Sequence, residues 1–369
     1  MLSIESVTVG NLKKTLLDNP IILGDMEDIY SRNYDWHKFD CKTVYITGSY
    51  GMLASYIVLF FIYLHEKHNI NVTIIAQGRN EEKARFRFGA YFDCDYFRFT
   101  DENITTDECK LVSSADYVIH AAGPANPRFY DKYPVEVIEP NVIGTYNLLK
   151  RCNKDNLKGF LFLSTCDVYG AVEDCEHITE ETIGKVDPLS PHSCYNESKR
   201  MAETMLASFK REFGIRTVSA RIGHTYGPTM DLENDPRVFA SFIKDAVRGN
   251  DITLHSDGMA KRAFCYLSDA VAAYMLLLMC GNPGEAYNVT NTEQMISIRD
   301  LAYIISELPA NKVNVVFKNR QENDSYLQDT VNKPNRPLED KIINLGWSHH
   351  VDVKEGFSRT YRFFTEELS

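Results

Sequence analysis

Two rhythms of apolar residues alternate along this chain. Short β-branched or aromatic runs predict strands at Thr43–Thr47, Val72–Ala76, Tyr96–Phe99, Tyr117–Ala121, Phe160–Ser164 and Thr217–Ala220. Between them lie segments with apolar positions three and four apart, which predict helices over 52–67, 134–152 and 193–213. Strands alternating with helices imply βαβ units, and so an α/β protein with a doubly wound parallel sheet covered on both faces. The first forty residues precede this alternation. Leu12–Leu17 and Pro20–Tyr34 suit short helices, with Trp36 and Phe39 docking the arm on the main body. No chemistry is visible in it.

Length allows a large core and one big or two intimately joined domains, at 369 residues. We divide the chain into an arm (1–40), a parallel-sheet domain (41–222 with about 265–292), and a smaller C-terminal α/β region (223–264 and 293–369). A formal net charge of -11 and no long Lys/Arg run argue against nucleic acid as a partner, while leaving room for an arginine pocket for a small phosphorylated molecule. Nine scattered cysteines without a Cys-x-x-Cys pair fit a reducing compartment and argue against a disulfide framework or a zinc site. Met1–Asn11 does not read as a signal peptide, and the apolar stretch Met52–Leu64 is too short to span a bilayer. The expectation is a cytoplasmic protein with no membrane partner and no metal.

In such sheets ligands sit beyond the carboxyl ends of the strands, so those positions hold the candidate chemistry. The first strand runs into Gly48-Ser49-Tyr50-Gly51-Met52-Leu53-Ala54. Its glycines let a pyrophosphate approach the backbone, and the helix that follows points its first amides at the anion. After the second strand comes Gln77-Gly78-Arg79-Asn80, with no acid until Glu81. Arg79 suits the 2′-phosphate of NADP, a place across the adenine, or plain solvent; all three stay open. After the fourth strand, Ala121-Ala122-Gly123-Pro124-Ala125-Asn126-Pro127 gives small residues and then a proline-stiffened loop. After the fifth, Thr165-Cys166-Asp167 puts a hydroxyl, a thiol and a carboxylate at a strand end. Tyr195 and Lys199, at i and i+4, share a helix face, where a neighbouring positive charge would favour the phenolate.

The glycine turn, the strand-end Thr165 and the Tyr195/Lys199 pair, in this order, resemble the extended short-chain dehydrogenase/reductases that remodel nucleotide-linked sugars. Asp116–Ala122, Asn141–Thr145, Arg221–Pro228 and Leu345-Gly346-Trp347 extend the resemblance from Thr43 almost to the C-terminus. Within the family, the Pro124–Pro127 loop, Asp235–Ile243 and Lys261–Asp269 look like segments of UDP-glucuronate decarboxylases.

The resemblance implies Tyr195 as acid/base, with Lys199 lowering its pKa and holding the nicotinamide ribose. Thr165 would bind the sugar hydroxyl and Asp167 handle a C5 proton. It implies tightly bound, recycled NAD or NADP, held by Gly48, Tyr50, Gly51, Met52, Arg79 and Asp101, and by Ala121, Ala122, Gly123, Asn141, Lys199 and Ile222. Asn141 would stand behind the site. A nucleotide-diphosphate sugar would meet Pro124, Asn126, Cys166, His224, Arg237, Arg262 and Arg336. A homodimer would form through the two long helices. Three departures stand out: Asp167 replaces the family's usual Glu, Cys166 the dehydratases' Asp, and His224 the usual Asn. The expected reaction is decarboxylation of a nucleotide-linked uronic acid through a 4-keto sugar. Alternatives are a 4-epimerase, a 4,6-dehydratase, or an idle cofactor-binding regulatory protein.

Overall fold

The computed structural model describes residues 15–106, 108–173, 177–318 and 336–367. The beginning of the helix expected from Leu12 lies outside these residues, as does 319–335 within the region expected to bind substrate. At its centre is a seven-stranded sheet. We label its strands β1 (Lys42–Thr47), β2 (Val72–Gln77), β3 (Phe97–Thr100), β4 (Tyr117–His120), β5 (Gly159–Thr165), β6 (Thr217–Ile222) and β7 (Glu285–Val289). The spatial order is β7-β6-β5-β4-β1-β2-β3 and every pairing is parallel.

Alternation along the strands sorts the two faces. Val44, Ile46, Ile119 and Leu161 point into one core with the helices Met52–His68 and Leu267–Cys280. Tyr45, Val118, Phe160 and Phe162 point into the other, against Leu148, Leu149, Ala202 and Leu206. Burial on both sides explains why these strands read as continuous apolar runs.

A second, smaller body packs against the carboxyl ends of the strands. It holds a three-stranded sheet built from His224–Tyr226, Lys261–Tyr266 and Met295–Ser297. Helices Val238–Val247, Ile298–Ser306 and Val353–Glu367 enclose its own core around Phe239, Phe264 and Phe357.

One expectation is corrected. The single helix expected over 134–152 is three pieces: an α-helix Pro134–Glu139, a π-turn Pro140–Gly144 and an α-helix Thr145–Arg151. Pro140 has no N–H for the helical ladder, and the wider turn absorbs that break. The arm packs on the main body through buried polar groups as well as apolar ones. Its helix Pro20–Ser31 buries Asp25, which accepts hydrogen bonds from Tyr56, Tyr266 (2.7 Å) and Arg359 (2.9 Å). Just beyond it, Arg32 pairs with the fully buried Asp269 at 2.5 Å and donates to the Ser348 carbonyl. Trp36 and Phe39 dock as expected, both buried.

Candidate active site

Strand order reverses between β1 and β4, and a cleft opens at such a switch point. The ends of those strands are tied together. Thr47 Oγ1 accepts from the amides of Ala121 and Ala122, both at 3.0 Å, and lies 2.8 Å from His120 Nδ1. Nε2 of the same ring lies 3.1 Å from the Pro140 carbonyl. A carbonyl can only accept, so Nε2 carries the proton and Nδ1 accepts from the Thr47 hydroxyl. Burial and the charge of Lys199 push the imidazole down to about 3, which keeps it neutral.

The glycine turn follows β1. Gly48 has φ +64, and a Cβ there would lie 2.9 Å from the Ala122 Cα. Only glycine fits, because the two strand ends run in contact. Gly51 caps the helix Met52–His68, and the Ser49 hydroxyl beside it is buried with no hydrogen-bond partner. A bare backbone, a helix N-terminus and an orphan hydroxyl fit a dinucleotide pyrophosphate.

Beyond the turn lies a cavity of about 3800 Å³ between the two bodies. Tyr195 and Lys199 enter it from the helix Ser193–Phe213, whose first turn runs past the end of β5. The Tyr195 hydroxyl shares a hydrogen bond with Thr165, and its ring stacks on Tyr130 at 4.9 Å. Burial first, and then the charge of Asp167, raise its pKa; Thr165 and Arg237 oppose them. Lys199 Nζ donates to the Leu163 carbonyl at 2.8 Å and lies 5.8 Å from the Tyr195 ring. Burial lowers this ammonium to about 7, with Glu203 opposing.

The Asp167 amide donates to Thr165 Oγ1 at 3.2 Å. Its carboxyl opens onto the cavity, yet protein surrounds it closely enough to raise its pKa, against the Thr165 hydrogen bond and the charges of His192 and Arg262. Cys166 donates to the Arg221 carbonyl at 3.4 Å, and burial pushes its thiol well up, so it stays protonated. His224 faces the cavity and is pushed down to about 3 by enclosure and by Arg262 and Arg237. Arg237 is gripped by Asp235 through Nε (2.9 Å) and Nη2 (2.5 Å), and its Nη1 donates to the Thr225 carbonyl.

A family model described as the NAD dependent epimerase/dehydratase family matches residues 44–290. UDP-glucuronic acid decarboxylase 1 of Xenopus tropicalis is 30% identical over 349 residues, covering 93% of this chain and 78% of its own. The chain belongs to the NAD-dependent epimerase/dehydratase family. UDP-glucuronic acid decarboxylase 3 of Arabidopsis thaliana is 35% identical over 249 residues, 67% of this chain and 69% of its own. Among solved structures, UDP-glucose 4-epimerase of Thermotoga maritima superimposes with a TM-score of 0.73 at 24% identity, over 89% of this chain and 100% of that one. UDP-glucuronic acid 4-epimerase of Bacillus cereus, in complex with NAD, does so at 0.70 and 22%, over 88% and 96%. The fold is the family's Rossmann-type α/β fold, and the protein is an enzyme of the extended short-chain dehydrogenase type, in a family that depends on NAD.

Of the residues expected at the site, Gly48, Tyr50, Gly51, Met52, Ala121, Gly123 and Ile222 line the cavity on the turn side. Thr165, Cys166, Asp167, Tyr195, Lys199, Asn126, His224, Arg237 and Arg262 line the rest. Others stand off its wall. Arg79 and Asp101 are exposed, just past the ends of β2 and β3. Ala122 packs against the core of Leu148 and Ala202 and Pro124 is half-buried, while Arg336 sits on a short strand paired with His177. Asn141 is fully buried behind the site, donating to Val137 and Ser198, with its Oδ1 against Gly123. Sequence reasoning passed over Tyr130, Asp235 and His192. Asp235 lies two residues before Arg237, and His192 lies one helical turn before Tyr195. Tyr130 carried no local signal. Among the described residues no cluster could hold a metal, and no helix is long and apolar enough to cross a membrane.

Proposed function

We propose that this enzyme modifies a nucleotide-diphosphate sugar through a 4-keto intermediate, and that the reaction is decarboxylation of a nucleotide-linked uronic acid. The observation that carries this reading is the convergence of Tyr195, Thr165, Lys199 and Asp167 on one cavity beside the Gly48 turn. Gly48, Tyr50, Gly51, Met52 and Lys199 would hold the cofactor, which supplies a hydride acceptor and donor for C4. Thr165 orients the C4 hydroxyl and Tyr195 takes its proton. Once C4 is a ketone, a C5 carboxylate is a β-keto acid and leaves as carbon dioxide. Asp167, whose enclosure raises its pKa, then delivers a proton to C5. Arg262 lines the same cavity and would balance the acidic group of the sugar, since Arg fits such anions with its fork of donors.

The curated relatives named above are decarboxylases, which supports this choice over 4-epimerisation. Dehydration needs an acid for the departing C6 hydroxyl, and Cys166, held protonated against a backbone carbonyl, suits that poorly. A second copy of this chain is the proposed partner. The helical segments from 134 to 151 leave Val135, Ile138, Ile143 and Tyr146 exposed, and the helix Ser193–Phe213 leaves Met201 exposed. The test is incubation with a panel of nucleotide sugars. The reading expects UDP-glucuronate to lose the mass of carbon dioxide. Unchanged UDP-glucuronate beside a converted neutral hexose contradicts it.

A further inference from the structure

Proton transfer at two neighbouring carbons needs two groups at a fixed spacing, yet Tyr195 sits on a helix and Asp167 on a turn. One residue of β6, Arg221, holds the turn Cys166–Tyr169 at both ends. Its carbonyl accepts the Cys166 thiol at 3.4 Å, one residue before Asp167. Its Nη1 donates to the Tyr169 hydroxyl at 3.0 Å, two residues after Asp167, and the guanidinium lies over that ring, 4.8 Å from the centroid. Between these holds the turn closes on itself, with the Asp167 carbonyl accepting the Gly170 amide at 3.1 Å. The other edge of the guanidinium goes to the helix. Nε and Nη2 meet both oxygens of Glu203, the shortest contact at 2.7 Å, and Ser164 Oγ donates to the same carboxylate at 2.6 Å. Glu203 lies one helical turn beyond Lys199 and two beyond Tyr195. Both members of the pair are largely buried, each side chain 14% exposed. A planar fork can face two directions at once in this way; an ammonium is a point charge and cannot.

We propose that Arg221 is a positioning residue: it joins the Asp167 turn to the Tyr195 helix, and so sets the spacing between the group that works at C4 and the group that works at C5. This rests on the reading above. Thr165, which orients the C4 hydroxyl, is a strand residue in register with Ile222, so the sheet fixes it without the Arg221 side chain. Asp167 lies past the strand end, and the turn that carries it is fixed by the Arg221 contacts. Loosening the turn end of this joint therefore leaves the C4 chemistry in place and displaces the carboxyl that delivers the C5 proton.

Two measurements on the intact protein test this, and they fail separately from the reading it rests on. The first needs no turnover: amide hydrogen exchange in Tyr169→Phe, which keeps the ring and removes the hydroxyl that Arg221 holds. The Asp167 and Gly170 amides should exchange about tenfold faster than in wild type, while those of Leu161 and Leu163 in β5 stay as they were. Unmoved exchange in the turn overturns the clamp, and so does equal acceleration in β5. The second is turnover of UDP-glucuronate. Tyr169→Phe should lose about tenfold in kcat and Arg221→Lys about 10²-fold, with KM little changed, the range that misplacing a reacting group costs. Reduced nicotinamide should accumulate at steady state, because C4 is oxidised faster than C5 is protonated. Wild-type kcat in Tyr169→Phe, or a loss of kcat without that accumulation, overturns the positioning role. If Arg221→Lys does not fold, Tyr169→Phe alone decides. If wild-type protein leaves the whole sugar panel unchanged, the reaction falls while the exchange result still judges the clamp.

Discussion

The Tyr195 hydroxyl meets the Thr165 hydroxyl, its ring lies on Tyr130, and the Lys199 ammonium lies below that ring. Burial favours the neutral phenol, and it favours the neutral amine, since Lys199 is brought down to about 7. Each would favour the charged form of the other, so their work is coupled. Tyr195→Phe removes the proton acceptor and keeps the ring on Tyr130. We expect turnover to fall about 10³-fold, within the range for a lost acid/base, with bound dinucleotide retained. Quantifying the cofactor released on denaturation, beside the turnover assay, checks both halves. Equal turnover in the variant would remove Tyr195 from the chemistry. The pair was legible in the sequence because i and i+4 on one helix are fixed neighbours. Tyr130 was not, because its stack on Tyr195 joins two elements far apart in the chain.

At the scale of elements, the turn after β1 makes the sharpest prediction. Gly48→Ala adds a Cβ 2.9 Å from backbone atoms of the β4 end, at a φ that other residues rarely adopt. The neighbour cannot yield, because Ala122 is held by Thr47. Dinucleotide affinity in a direct binding titration should fall at least tenfold; unchanged affinity would move the pyrophosphate elsewhere.

The arm makes another. Arg32 and Asp269 are buried together, and Asp269 also accepts from the amides of His350 and Val351. Arg32→Ala leaves that carboxylate unpaired, at a cost of roughly 3–5 kcal/mol in chemical denaturation. A change under 1 kcal/mol, roughly the worth of an exposed pair, would contradict it.

Asp25 adds a pH dependence. Burial raises it from 3.8 to about 6, so the folded state binds its proton more tightly than the unfolded chain does. Its contribution is full below about 3.8 and is lost as the pH rises through about 6. Asp25→Asn should flatten stability across that window. Strands, turns and helix faces were readable because they are set by neighbours in sequence. These pairs were not, since they join residues 237 and 334 positions apart.

Taken whole, the molecule is a parallel sheet that holds the reacting edge and a smaller body that closes over it, with the arm bound to the C-terminal segment. Doubly wound topology followed from the alternation of strand and helix, and the cleft followed from the topology. The wall of the substrate side did not. Arg237, expected to meet the nucleotide-diphosphate sugar, is held by a carboxylate two residues before it, Asp235, a pairing that spacing alone did not announce. Exposed Tyr146 and Met201 lie on separate helices that a second copy would cover. Tyr146→Glu with Met201→Glu should halve the mass seen by light scattering, and an unchanged mass would place the interface elsewhere.

The central claim is transient oxidation at C4 by a cofactor that is not consumed. It is tested most directly with UDP-glucuronate carrying deuterium at C4. The account predicts a product lighter by carbon dioxide that still holds the deuterium at C4, formed over many turnovers without added cofactor. Deuterium collecting on free nicotinamide, or carbon dioxide lost while the label never reaches the bound cofactor, would contradict it.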